Sequence, residues 1–317
     1  MKNTTLFRAG FFMLLGLLIA CATSHKKMEN ALKQNDLPLL KNLAEQALKK
    51  NPNDPLALDM LGKVMLALGR PDSAVTLFRK AYKSGPAGGA YRKDLIRGEI
   101  IWGDSLLRRE LAYRALEEYT RAVRLDSSDF TAWERLGLVQ KAVGRYDDAR
   151  ISYERALRLN PEADSLQKVL DFLDAAHVQS NLLLRKGKDL LKHRRYKQAM
   201  ITLEKAVKAK PDNEEAAYFY HMAAGLYYFK RGSLKKLWDA IEHFGKASIL
   251  RPKAPEPHFY MAEAYLKKDD KDFENILREY EEVMKLAPDS PLASKARKRL
   301  LEQKKREKLL RNFWKKK

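Results

Sequence analysis

One cysteine in 317 residues rules out an intrachain disulfide and any cage of cysteines around a metal. Long apolar runs are lacking too. The run at residues 11–20 would reach about 15 Å as a helix, half the hydrocarbon thickness of a bilayer, so it does not span one. Glycine and proline number 15 and 12, too few for a collagen or a low-complexity chain. Segments of strand-like alternation are nearly missing, which points away from sheets. Acidic residues are short against basic ones, 41 to 62, giving a net charge of +21. What is plentiful is ordinary for a folded protein: 45% hydrophobic and 32% charged residues.

The chain opens with Lys2 and Arg8 ahead of the short apolar run, the layout of an export signal. The run ends Leu18, Ile19, Ala20, Cys21, and this tetrapeptide resembles a bacterial lipobox. The resemblance implies cleavage before Cys21, acylation of its thiol and new amino terminus, and attachment to a membrane. Several acyl chains at about 0.8 kcal/mol per buried methylene would hold it there. Ala22 stands where an Asp would resemble an inner-membrane retention signal, so an outer-membrane location facing the periplasm is expected.

Residues 130–163 carry Trp133, Leu136, Gly137, Gly144, Tyr146, Ala149, Tyr153, Ala156 and Pro161. This spacing resembles the tetratricopeptide repeat, a 34-residue helix-turn-helix unit. Further copies lie at 55–88 (Leu61, Gly62, Gly69, Ala74, Phe78, Ala81, Pro86), 96–129 (Gly103, Ala115, Tyr119, Ala122) and 180–213 (Gly187, Tyr196, Ala199, Ala206, Pro211). Looser copies follow at 214–254, with about seven extra residues placed near Arg231 to Leu237, and at 255–290; a degenerate copy at 21–54 keeps Ala47 and Pro52. The expected fold is all-α: a right-handed superhelix, or α-solenoid, of about seven repeats behind a signal at 1–20 and ahead of a basic capping helix and tail at 291–317. Small residues let paired helices approach, bulky ones fill the gaps, and stacking buries faces that no repeat buries alone. Residues 89–95 read as a short insertion. Residues 164–179 read as a helical insert that lengthens the next first helix and marks a joint between two halves.

No nucleophile elbow, phosphate loop, dinucleotide fingerprint or HExxH pattern occurs, so no enzymatic activity and no cofactor are expected. Asp239 and His243 lie one helical turn apart but lack further ligands, and no metal site is expected. The repeat resemblance implies partner binding on a concave face lined by first helices at repeat positions 2, 5, 6, 9, 12 and 13. That mapping nominates Lys63, Arg108, Arg135, Lys141, Arg185, Lys188 and Lys192 as a basic groove for acidic segments. The two-carboxylate clamp of chaperone-tail binders is missing, since its Asn positions hold Lys63, Asp104, Leu138 and Lys188. Six aromatics crowd residues 218–229 and cannot all face one side of a helix, which nominates Tyr218, Tyr227 and Tyr228 as groove anchors.

The last 23 residues hold twelve Lys/Arg and two Glu, so the tail carries about half of the net charge. Its end, with Arg311, Phe313, Trp314, Lys315, Lys316 and Lys317, is basic and amphipathic and suits an anionic surface. The sequence thus reads as a lipid-anchored adaptor of a bacterial envelope that binds other proteins or acidic peptide segments. Barrel assembly, pilus secretin assembly and docking of peptidoglycan hydrolases all fit that reading. A binder of anionic envelope polymers is the alternative. A small-molecule substrate is not expected, and export disfavours nucleic acid.

Overall fold

A computed structural model describes residues 23–86 and 89–315, with side chains up to Asn312. Cys21, the side chains of Phe313, Trp314 and Lys315, and residues Lys316 and Lys317 lie outside that description. The described residues form fifteen helices and no strand. They are α1 (residues 23–33), α2 (Leu37–Lys50), α3 (Pro55–Ala67), α4 (Pro71–Ser84), α5 (Arg92–Arg108), α6 (Ala112–Leu125), α7 (Phe130–Ala142) and α8 (Tyr146–Leu159). There follow α9 (Asp164–Lys192), α10 (Tyr196–Ala209), α11 (Glu214–Arg231), α12 (Leu234–Leu250), α13 (Pro255–Lys268), α14 (Phe273–Leu286) and α15 (Pro291–Lys315). Contacts divide the chain into two units, residues 1–167 and 168–317, with the boundary inside α9. Within each unit consecutive helices pack antiparallel on their neighbours in sequence, the arrangement of an α-solenoid.

One contact recurs in the hairpins. A glycine on the first helix lies so close to a bulky side chain of the second that a Cβ would stand 2.4–3.0 Å from it: Gly62 against Phe78, Gly103 against Tyr119, Gly137 against Tyr153, Gly187 against Leu203 and Gly225 against Phe244. The first four pairs are sixteen residues apart. Partners Phe78, Tyr119, Leu203 and Phe244 are almost wholly buried, beside alanines at the two small positions of the second helix, such as Ala74 and Ala81 or Ala240 and Ala247. Glycine lets the two backbones close to ring-contact distance, and the ring fills the space between them.

The turns inside the hairpins share a second device. Asn35, Gly69, Glu110, Gly144, Arg194 and Gly232, each just past a first helix, all have positive φ between 55° and 80°. Three are glycine. The others hold a left-handed conformation that costs about 1 kcal/mol for a residue with a Cβ. Between hairpins, Asp54, Asp129 and Asn213 cap the next helix by accepting backbone N–H bonds. In the first unit Arg79 of α4 donates to Glu99 of α5 at 2.7 and 2.9 Å and also to Glu118 of α6, tying three helices together. Burial and the neighbouring Glu118 push Glu99 up to about 7 despite Arg79.

Some details differ from the sequence reading. Helix α5 begins at Arg92, inside the segment read as an insertion. Residues 164–179 do lengthen the next first helix as read, within one helix of 29 residues, Asp164–Lys192. The amino-terminal hairpin is well packed, with Met28, Ala31, Leu40 and Ala44 buried in one core. The extra residues of 214–254 do not sit together near Arg231 to Leu237. Pro211 precedes Gly225 by 14 residues whereas Pro52 precedes Gly62 by 10, and Gly225 precedes Phe244 by 19. Four extra residues therefore lengthen the start of α11 and three fall between its glycine and the ring. This shifts the register of the α11 aromatics.

We predict that Gly225→Ala, whose Cβ would lie 2.4 Å from a Phe244 ring carbon, costs about 1–3 kcal/mol in denaturant unfolding. Adding Phe244→Leu should recover part of that loss. A neutral Gly225→Ala would show that the close approach is not a constraint.

Candidate partner-binding cleft in the second unit

Counting from the glycine that meets the ring tells which side chains of a first helix point away from the second helices. On α9 they include Asn181, Leu184, Arg185, Lys188 and Lys192, which with Asp189 line a depression of about 400 Å³. The three cations nominated on α9 are thus brought together. On α11 the same count selects Phe219, Met222 and Leu226. These, with Tyr260 of α13, form the apolar wall of a cleft of about 450 Å³ that also includes Lys192. Arg194, Arg251 and Glu256 complete its polar rim.

The cations are held against the rings. The Arg251 guanidinium carbon lies 4.3 Å from the Tyr218 ring centroid and 5.1 Å from that of Phe219, and Lys188 Nζ lies 4.8 Å from Phe219. Lys188 donates to Glu215 at 2.8 Å, and Arg251 stands 3.7 Å from the same carboxylate. The hydrogen bond from Lys188 holds the Glu215 carboxyl below its usual range. Tyr218 is only 5% exposed, so it forms part of the wall rather than projecting as an anchor. Burial pushes its hydroxyl up to about 12 and keeps it protonated. The cleft therefore combines an apolar wall with positive side chains on its rim. It can grip an extended segment that sets a bulky apolar side chain beside a carboxylate.

The groove residues nominated in the first unit are a different matter. Lys63 bridges Asp59 at 2.7 Å and Asp94 at 3.0 Å. Asp59 is buried, which pushes its carboxyl up to about 6 even with Lys63 beside it. Arg135 lies 3.4 Å from Asp104, which itself accepts the Tyr119 hydroxyl at 2.6 Å. Arg108 is exposed and Lys141 half-buried. Lys63 and Arg135 are thus matched by carboxylates of their own or neighbouring helices, a pairing that the sequence mapping missed because it counted cations alone.

Tyr227 and Tyr228 do not line the cleft. Tyr228 stacks on His243 of α12 with centroids 5.6 Å apart and lies under Lys236 at 4.5 Å, while Tyr227 packs beside Arg231. His243 in turn makes a 2.9 Å Nδ1–Nδ1 hydrogen bond with His221 of α11. Burial holds both imidazoles below their usual range, His221 down to about 4, and the facing His243 and Lys246 add to the effect there. Asp239, one helical turn before His243, pairs with Lys236 at 2.8 Å. Among the described residues no group of three metal-ligating side chains converges.

The fold is a helical-repeat solenoid, and comparison with known proteins agrees with the repeat spacing. Residues 27–89 and 130–163 match the tetratricopeptide repeat family. A 72-residue stretch, 23% of the chain, is 39% identical to Protein O-mannosyl-transferase TMTC1 of Homo sapiens, of which it covers 8%. A 139-residue stretch, 44% of the chain, is 35% identical to Cytochrome c-type biogenesis protein CycH of Bradyrhizobium diazoefficiens and covers 34% of it. The chain thus spans a minor part of these relatives. Among solved structures, the P58(IPK) TPR domain superposes with a TM-score of 0.39 at 13% identity, covering 90% of this chain and 99% of that one.

The histidine pair gives a signed pH dependence. Its folded-state affinity for protons is lowered, so the unfolded chain takes up protons from about 6.5 downward before the folded chain does. The pair's stability contribution is complete above about 6.5 and is lost as pH falls towards about 4. Between roughly pH 7 and pH 5 the wild type should lose about 2–4 °C more in melting temperature than a His221→Gln/His243→Gln chain. Parallel pH curves for the two would refute the assignment.

Proposed function

We propose that this protein is a non-enzymatic, lipid-anchored scaffold of a bacterial cell envelope that holds segments of other proteins in the α9–α11–α13 cleft. The observation that carries the reading is that cleft, where Phe219, Met222, Leu226 and Tyr260 meet a rim of Lys192, Arg194 and Arg251. Tetratricopeptide repeats bind proteins and peptides as a class, which supports the scaffold role. Anchoring is supported by the basic start, the short apolar run and the lipobox-like residues before Cys21. The similarity to a bacterial biogenesis protein over 139 residues is compatible with an envelope assembly role. Barrel assembly, secretin assembly and docking of peptidoglycan hydrolases are the settings in which such a scaffold would act.

A photocrosslinking residue in place of Phe219 should capture a discrete partner in intact cells, and Lys192→Glu in the same chain should reduce the yield at least about tenfold. The same crosslinker at exposed Tyr113 of α6 should not capture that partner. Equal capture from both positions would discard the cleft. Separately, Cys21→Ala should abolish incorporation of labelled fatty acid, and an unlabelled wild type would discard the anchor while leaving the cleft result intact.

A further inference from the structure

Helices α11 and α13 run parallel, each returning through a tight turn, so the turns α11–α12 and α13–α14 lie at the same edge of the second unit. Direct contacts join them. Lys267 donates to the Phe229 carbonyl at 3.2 Å, Trp238 packs edge-on against Tyr265 at 6.5 Å, and Lys268 Nζ stands 4.2 Å from the Trp238 ring. Helix α15 reaches this edge as well. Its ion pairs climb from Arg299 with Glu263 at 3.1 Å, through Lys304 with Glu281 at 2.8 Å, to Arg306 with Asp270 in the α13–α14 turn itself. Residues 307–315 therefore continue past the turn for about 13 Å of helix.

The chemistry of this edge is unlike that of a solvated turn. Leu234 is 63% exposed, Trp238 51% and Leu309 70%. Around them, segments 229–239, 267–272 and 304–311 hold twelve Lys/Arg against five Asp/Glu. The turns at the opposite ends of the same helices, 250–256 and 285–290, hold three against two. Exposed tryptophan and leucine framed by long cationic side chains match the interfacial zone of a bilayer, where the ring sits among headgroups and the stems of Lys and Arg lie along apolar surface.

We infer that this edge of the second unit, built from Leu234, Trp238, the cations of the α11–α12 turn and the projecting end of α15, docks on the headgroup region of an anionic bilayer. The occupant is lipid rather than an acidic protein because Leu234 and Trp238, one turn apart on α12, and Leu309 on α15 are exposed apolar side chains among the cations, and a bilayer interface offers acyl chain and anionic headgroup together. The interfacial zone of a bilayer accepts such side chains, while the surface potential of anionic lipid attracts the surrounding cations. The inference goes beyond the proposed cleft and is independent of acylation at Cys21. Attachment by this edge orients the unit, whereas a lipid chain alone only tethers it.

The test uses the full chain carrying Cys21→Ala, mixed with vesicles whose acyl chains carry bromine, either phosphatidylcholine alone or phosphatidylcholine with phosphatidylglycerol. Tryptophan quenching in this chain is compared with that in its Trp238→Phe derivative. Any insertion of residues 11–20 is common to both chains, so the difference reports Trp238 alone. That difference should appear with phosphatidylglycerol, vanish with phosphatidylcholine alone and weaken with added salt. Replacing Lys230, Arg231 and Lys235 by Gln should lower partition onto anionic vesicles about fivefold for each charge removed. Identical quenching in the two chains would overturn the inference, as would an equal difference on neutral vesicles. A Trp238 emission shift with polyglutamate but no quenching on vesicles would overturn it in favour of an acidic protein.

Discussion

The approach of a first helix to the ring or Leu203 side chain of its partner is the constraint on which the rest of the molecule depends. A Cβ at Gly62, Gly103, Gly187 or Gly225 would stand within 2.5 Å of the side chain opposite, so the depth of each hairpin is set by the missing atom. Once the glycine and its partner are fixed, helical periodicity decides which side chains face the core, the next repeat and the open face. Positions that look alike by distance along the chain are equivalent only when counted from that contact. The depression and the cleft follow from this rule: Leu184 and Lys188 of the first and Met222 and Leu226 of the second occupy matching places about the glycines of α9 and α11.

The same rule explains what could be read from the sequence. The all-α repeat architecture was legible because glycine, alanine, aromatic and proline signatures recur at fixed spacing, and the cationic face of α9 was legible because α9 keeps that spacing after Gly187. The aromatic helix was not. Its seven extra residues were placed in one block, whereas the structure divides them on either side of Gly225, and this turns Tyr227 and Tyr228 towards α12 and His243. Phe219, Met222 and Leu226 were overlooked for the same reason. Counting backward from the phenylalanine eight residues before Pro252 and forward from Pro211 would have revealed the division.

Charge was misread for another reason. A count of Lys and Arg along first helices sees a basic groove from end to end, but an ion pair depends on what the neighbouring helix offers. Asp94 on α5 meets Lys63 on α3, and Asp104 on α5 lies beside Arg135 on α7. These carboxylates are far from their partners in sequence, and nothing in the local pattern announces them. Pairing of partly buried charges contributes little net attraction for a ligand, since each cation already has its counter-charge. In the second unit the balance differs. Arg251 and Lys188 share the single carboxylate of Glu215, and both lie over aromatic faces.

The positive charge of the chain therefore resolves into local roles. Part of it is structural, as in Arg79 between Glu99 and Glu118. Part frames the cleft, and a further share gathers where the α11–α12 turn, the α13–α14 turn and the end of α15 meet. The cleft uses the side chains of first helices that point away from their second helices. The edge uses the turns beyond those helices, the start of α12 and the end of α15. The two sets share no residue, so occupation of one does not remove the other. If the edge rests on lipid as inferred, helices α11 and α13 meet the bilayer end-on, and the apolar wall they carry stays open to a segment approaching along the membrane surface.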